Sequence, residues 1–261
     1  MLNKNVKYSM MGKIENEASK PYVMVCVPSR VTEVEKRAVI DATRLSGAKD
    51  VFIIEEPFAT EIGAGLPVMD PTGSMVNDIG GGTTDVATIS IGGIVSSRTI
   101  RLAGDRMVKV IIQSIRKKHN LLIGERTAGQ IKMDIGCASV EKAVEYGTID
   151  VRCRYLLTGL PKTIDIAAVD IAEAIQEVTE GIVIAVRETL EETSPEISAD
   201  VIDHGIVLTG DGALLKDIAD VIAKDTDVPV FEASEPLDCV AVGTGESLQH
   251  IDVYRNRTIK G

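Results

Sequence analysis

The sequence predicts an α/β fold in which mixed sheets are flanked by helices, and three observations lead there. Hydrophobic residues make up 44% of the chain, yet aromatics are only 3% and Trp is absent, so the core must be built from Val, Ile, Leu and Ala. That aliphatic, β-branched bias suits sheets covered by helices on both faces. Residues 22–54 alternate strand, helix and strand, as a parallel β-α-β unit does, whereas Ser74 to Ile100 reads as an antiparallel meander.

The elements follow in order. Tyr22 to Val27 is a short apolar strand closed by Pro28, and residues 1–20 are polar, Met-rich and without clear periodicity. Thr32 and Glu35 have capping-box spacing and start a helix that carries Val34, Ala38, Ala42 and Leu45 on one face and stops at Gly47. Val51 to Ile54 is the next strand. Glu55 and Glu56 sit at its C-terminal end, before Pro57 at a helix start. Ser74 to Ser90 is a strand pair interrupted by Gly80-Gly81-Gly82-Thr83-Thr84, and a turn at Gly92-Gly93 leads to a strand over Ile94 to Ile100. Residues 105–135 are helical in pattern, with Gly124 to Thr127 between two helices. Residues 148–166 read as short strands around Gly159-Leu160-Pro161. A long helix from Val169 to Glu192 carries Ile171, Ile175, Val178, Ile182 and Val186 on one stripe and ends at Ser194-Pro195. Ile206 to Thr209 is a strand, Gly210-Asp211-Gly212 a turn, and Ala213 to Ala223 a helix. Val228 to Phe231 and Cys239 to His250 complete the chain as strand and helix.

At 261 residues the chain has room for one large domain or two modest ones. Its formal net charge is −11 with no compensating Lys/Arg run, which argues against a nucleic-acid-binding surface. No run approaches the roughly 18 apolar residues of a membrane span, and no signal-peptide core is visible, so the sequence reads as cytoplasmic. The four cysteines and three histidines are scattered, without the clustering a His/Cys metal site needs.

Three places have the composition for chemistry. Asp78-Ile79-Gly80-Gly81-Gly82-Thr83-Thr84-Asp85 can present unobstructed amides to an anion, with Thr hydroxyls as further donors. Asp78 would then hold a Mg2+-bound water, since Mg2+ takes oxygen ligands and keeps most of its waters. An ordinary glycine hairpin is the plain alternative. Leu208 to Leu215 places a glycine turn between a strand and a helix start, a natural nucleotide seat or a simple connection. Glu55 and Glu56, at a strand's C-terminal edge, can orient water in phosphoryl transfer or serve as solvated loop charges.

Taken with Val27-Pro28-Ser29, Thr32 to Arg37, Ile54-Glu55-Glu56-Pro57, Gly124 to Ala128 and Thr158 to Thr163, these motifs resemble the MreB/Mbl family of bacterial actin-like proteins from about residue 20 onward. The resemblance implies the actin fold, with two lobes around a cleft for ATP or ADP with Mg2+. It implies filaments of the protein with itself on the inner face of the cytoplasmic membrane, and cell-wall synthesis proteins as partners. Gly80, Gly81, Gly82, Thr83 and Thr84 would be the second phosphate loop. Gly210, Asp211, Gly212, Ala213 and Leu214 would be the adenosine loop, and Gly129, Gln130, Ile131 and Lys132 the helix start at the ribose and adenine. Glu56 would orient the hydrolytic water, and Asp78 would reach Mg2+ through water. Residues 1–70, completed by 233–261, would belong to the first lobe. Residues 71–105 and 169–232 would form the base of the second, and 106–168 its small upper part.

The chain also departs from the family pattern. The first phosphate loop, with its DxGTAN-like pattern, has no counterpart, so the first lobe is expected to be incomplete. Asn77 stands where the strand is normally apolar, Gly129 where a Glu meets the ribose, and Asp211 where a Gly lets the backbone approach the nucleotide. These changes predict weakened nucleotide binding and very weak or absent hydrolysis. They keep open a non-catalytic fragment that retains only interaction surfaces. Sugar kinases and Hsp70-like chaperones share only the phosphate and adenosine turns, and nothing here resembles a substrate-binding β-domain.

Overall fold

The computed structural model describes residues 21–29, 31–251 and the backbone of 259–260; the Met-rich start read from 1–20 lies outside them. Strand β1 (Tyr22–Val27) pairs in parallel with β2 (Asp50–Glu55), and β11 (Ile259–Lys260) adds antiparallel to β2. Alternation along β1 sends Val23, Val25 and Val27 to one face, packed with Ile40 of α1 (Glu33–Leu45). Met24 points to the other, where Phe58, Ala59 and Ile62 of α2 (Glu56–Gly63) cover it. Helix α8 (Cys239–Gln249) crosses α2 with backbones nearly touching. A Cβ on Gly63 would lie 1.8 Å from the Cys239 carbonyl oxygen, and one on Gly243 1.8 Å from that of Ala59.

A second sheet has the order β10-β9-β3-β4-β5. Its antiparallel meander is β3 (Ser74–Ile79), β4 (Thr84–Ser90) and β5 (Gly93–Ile100). The strands β9 (Ile206–Thr209) and β10 (Val230–Glu232) extend it in parallel on the β3 side. Against it packs α5 (Ala168–Glu192), whose stripe Ile171, Ile175, Val178, Ile182 and Val186 is buried as its spacing predicts. Met107, Ile111 and Ile115 of α3 (Gly104–His119) join the same core. A third, antiparallel sheet is formed by β6 (Leu121–Leu122), β7 (Thr148–Tyr155) and β8 (Pro161–Ala167), with α4 (Glu125–Ile135) beside it.

Several elements differ from the sequence expectation. The apolar face of α1 is not its packed face: Val34 is 77% exposed and Leu45 89%, while Lys36 and Ile40 are buried. Lys36 lays its stem on the sheet and carries its ammonium to Glu33 (3.4 Å) and Glu55 (3.3 Å). The capping box at Thr32 and Glu35 forms as read. After β9, a 3-10 turn over Asp211–Leu214 precedes α7 (Ile218–Thr226), so no helix starts at Ala213. The dipeptide strand β6 and the helix α6 (Pro195–His204) were not read from the sequence. Strand β10 begins two residues later than Val228.

Asn77 is the anomaly of the core. It shares the inward face of β3 with Met75 and Ile79, is fully buried, and neither its amide oxygen nor its nitrogen has a hydrogen-bond partner. An unsatisfied buried amide costs about 1–3 kcal/mol. The Asn77→Val substitution should therefore raise unfolding stability by about 1–3 kcal/mol, read as a higher urea midpoint at unchanged m.

Candidate functional site

The site begins with the hairpin between β3 and β4. The Gly80 amide donates to the Thr83 carbonyl at 2.9 Å, which closes the turn. The outward carbonyls of Gly80 and Gly81 accept from the amides of Gly104 (3.1 Å) and Asp105 (2.7 Å), the first residues of α3. The free donors of that helix end are thus spent on fixing the turn. Thr84 is also committed, its hydroxyl donating to the Leu102 carbonyl at 2.7 Å, whereas Gly81, Gly82 and Thr83 stay exposed. Nothing lies within 4 Å of a Cβ built on Gly82.

At the base of the hairpin Asp78 and Asp85 are directly paired across the strands, and both are buried. Asp85 accepts from the Thr99 hydroxyl at 2.5 Å. Asp78 is pushed up to about 6 by burial first, then by Asp85, with Asp211 adding to the push and the neighbouring Thr209 hydroxyl offsetting part. Glu56, at the first position of α2, faces the same pair. Burial, Asp78 and Asp85 raise it to about 7. Its sequence neighbour Glu55 turns away to Lys36, so the two glutamates part company. Asp85 carried no role in the sequence reading, although a turn of four residues between Ile79 and Thr84 sets it opposite Asp78.

The turn after β9 closes on the same place. A Cβ on Gly210 would lie 2.5 Å from an Asp78 carboxylate oxygen and from the Ile79 carbonyl oxygen, and one on Gly212 2.1 Å from the Ile79 side chain. Gly210 also has φ +80°, so glycine is required there twice over. Lys132 on α4 reaches Asp211 at 3.4 Å, and the pair lies against Gly104. The hairpin turn, the 210–212 turn, Glu56 and Lys132 therefore converge. Other residues read as site residues do not join them by their side chains. Ile131 and Ala213 are buried in the core, and Gln130 donates to Asp134 at 2.8 Å. Gly129 borders open space and Leu214 is half exposed.

The donor set fits the expected ligand in kind. Unobstructed glycine amides suit phosphate oxygens, and buried carboxylates that repel one another suit a hard divalent cation that relieves the repulsion. Among the described residues no group of three His, Cys, Asp or Glu side chains is placed to cage a metal, so Mg2+ would depend on phosphate and water for most of its ligands. No described helix is long and apolar enough to cross a membrane.

Two units joined at such a cleft, one built on β1 and β2 and the other on the mixed five-stranded sheet, define an actin-like protein. The crystal structure of MreB5 of Spiroplasma citri bound to AMPPNP superposes with a TM-score of 0.85 at 34% identity, covering 95% of this chain and 74% of that one. The double helical filament of MamK superposes at 0.72 with 18% identity, covering 90% and 71%, and bears on the fold alone. The profile of the MreB/Mbl protein family matches residues 1–256, a span that takes in the start left unassigned by sequence reading. The cell shape-determining protein MreB of Pasteurella multocida is 48% identical over 234 residues, 90% of this chain and 67% of its own length. The chain belongs to the MreB/Mbl family.

Acid groups held above their ordinary values set a pH dependence. Besides Glu56 and Asp78, Glu61 of α2 is fully buried and pushed up to about 8 by burial, with the Ser74 hydroxyl (3.0 Å) pulling partly back. All three bind protons more tightly folded than unfolded, so their contribution to stability is fully present below about pH 4 and is lost as pH rises from about 4 to about 8. Unfolding midpoints at pH 5 and pH 8 should show this loss. Glu61→Gln, which keeps the shape, should recover on the order of 2–4 kcal/mol at pH 8 and flatten the slope.

Proposed function

We propose that the chain is a cell-shape-determining, actin-like protein that binds ATP or ADP with Mg2+ between the 80–83 and 210–214 turns and assembles with itself into filaments. On this reading the filaments lie on the inner face of the membrane and organise cell-wall synthesis. The observation that carries it is the convergence of two glycine turns on one acidic floor, with Gly210 packed against Asp78 and Ile79. The likeness to a relative crystallised with AMPPNP supports the ligand class.

Each residue then has a task. The amides of Gly81 and Gly82 and the Thr83 hydroxyl bind phosphate oxygens, and the 210–214 turn seats the nucleoside. Mg2+, when bound, supplies positive charge beside Asp78 and Asp85. Glu56, raised to about 7, exists in both protonation states at neutral pH, and only its ionised form can draw a proton from water. Hydrolysis through Glu56 therefore rises with pH across its titration.

Calorimetric titration of the chain with MgADP and MgATP tests the reading. Saturable binding, weakened by Asp211 and Gly129, is expected, and none at millimolar nucleotide would sink the reading. The variant Gly82→Asp makes the test local, because the position is open and its backbone is not left-handed. It should leave the unfolding midpoint unchanged and weaken binding by roughly tenfold or more, through a carboxylate set beside phosphates.

A further inference from the structure

We infer that the tip of the β7–β8 hairpin is a docking surface for anionic lipid, on which exposed leucines and unpaired cations are laid together. The inference rests on the membrane-associated reading above and names the element that makes the contact. Two observations carry it, one of shape and one of charge.

Every residue from Leu156 to Lys162 is exposed, Leu157 at 72% and Leu160 at 64%. Leu122 of β6, which lies opposite Arg154 of β7, is exposed beside them. Backbone bonding fixes this arrangement. The Tyr155 amide donates to the Leu160 carbonyl at 2.9 Å, the Gly159 amide to the Tyr155 carbonyl at 2.8 Å, and the Leu156 amide to the Asn120 carbonyl at 2.9 Å. A single exposed leucine is ordinary, but Leu122, Leu156, Leu157 and Leu160 on one tip form a patch that calls for a partner.

Charge says which partner. Residues 116–124 and 151–164 carry six Lys and Arg and no Asp or Glu, in a chain of net charge −11. The two stretches meet along β6 and β7 and at the hydrogen bond from Leu156 to Asn120. Lys118 is taken up by Asp170 and Glu173. Arg116, Lys117, Arg152 and Arg154 are exposed and, among the described residues, have no ion-pair partner. Lys162 stands over the Tyr155 ring at 4.5 Å. Leucines beside free cations match an anionic bilayer, where the leucines enter the headgroup boundary and the cations meet lipid phosphates. A protein partner would need a pocket shaped to the projecting turn, whereas a fluid surface closes round it.

Flotation of the full chain with vesicles of phosphatidylcholine, alone or mixed with phosphatidylglycerol, tests the inference. The chain should float with the mixed vesicles, far less with the neutral ones, and less as salt rises. Leu157→Ser with Leu160→Ser should lower binding roughly tenfold, and Arg152→Gln with Arg154→Gln should lower it by roughly tenfold as well. Urea midpoints should not move, because all four positions are exposed. Vesicle binding that survives both pairs of substitutions would overturn the inference and leave the membrane reading to another element. No binding of the unmutated chain to mixed vesicles would overturn both, without touching the nucleotide titration. Self-association of the chain without lipid, reversed by the leucine pair and unaccompanied by flotation, would make the tip a contact between copies and end the lipid assignment.

Discussion

Asp78 and Asp85 face each other across adjacent strands at the closed end of a hairpin, and much of the structure is arranged around that opposition. Directly opposed like charges destabilise a sheet, more so when buried. The chain accommodates them by holding Asp78 toward its protonated form and by giving Asp85 the Thr99 hydroxyl. Glu56 arrives from the other unit and is raised in turn. The result is an acidic floor whose mutual repulsion a cation would relieve. The glycine turn next to it has the opposite character, since its exposed amides supply partial positive charge without any side chain.

The turn is kept open by what surrounds it. A helix N-terminus is usually a source of free amides, but α3 spends its first two on Gly80 and Gly81. That sacrifice fixes the carbonyls outward and leaves the turn's own amides unengaged on the other side. On the far side of the cleft α2 links the units. It begins with Glu56 at the floor, continues through Glu61 hydrogen-bonded to Ser74 at the start of β3, and ends against α8. A disturbance at Glu56 is therefore only a turn and a half of helix away from a buried bond between the two sheets' connections.

What could be read from the sequence divides along physical lines. Long periodic elements were legible: the α5 stripe is buried residue for residue, and the meander of β3 to β5 has the turns that its glycines mark. The α1 face was misjudged because its packed side uses the stem of Lys36, an apolar surface hidden in a charged residue. The 3-10 turn at Asp211–Leu214 escaped because nothing in a helix-like run of Ala and Leu tells which residue the first full turn begins on. The glycine turns and Glu56 were legible as motifs. The partnership of Lys132 with Asp211, 79 residues apart, was not, because no local pattern encodes a contact between the ends of two distant elements. Asp85 lay between these cases: its residue type was plain, but its significance needed the register of the hairpin.

The crossing of α2 and α8 behaves as a bearing with no clearance. With Gly63 against the Cys239 carbonyl and Gly243 against that of Ala59, neither helix can slide or roll without one backbone meeting the other. A methyl group at either glycine would force the helices apart, and because α2 starts at Glu56, that retreat would be felt at the cleft. The two glycines thus set the distance between the helices from opposite sides of the crossing.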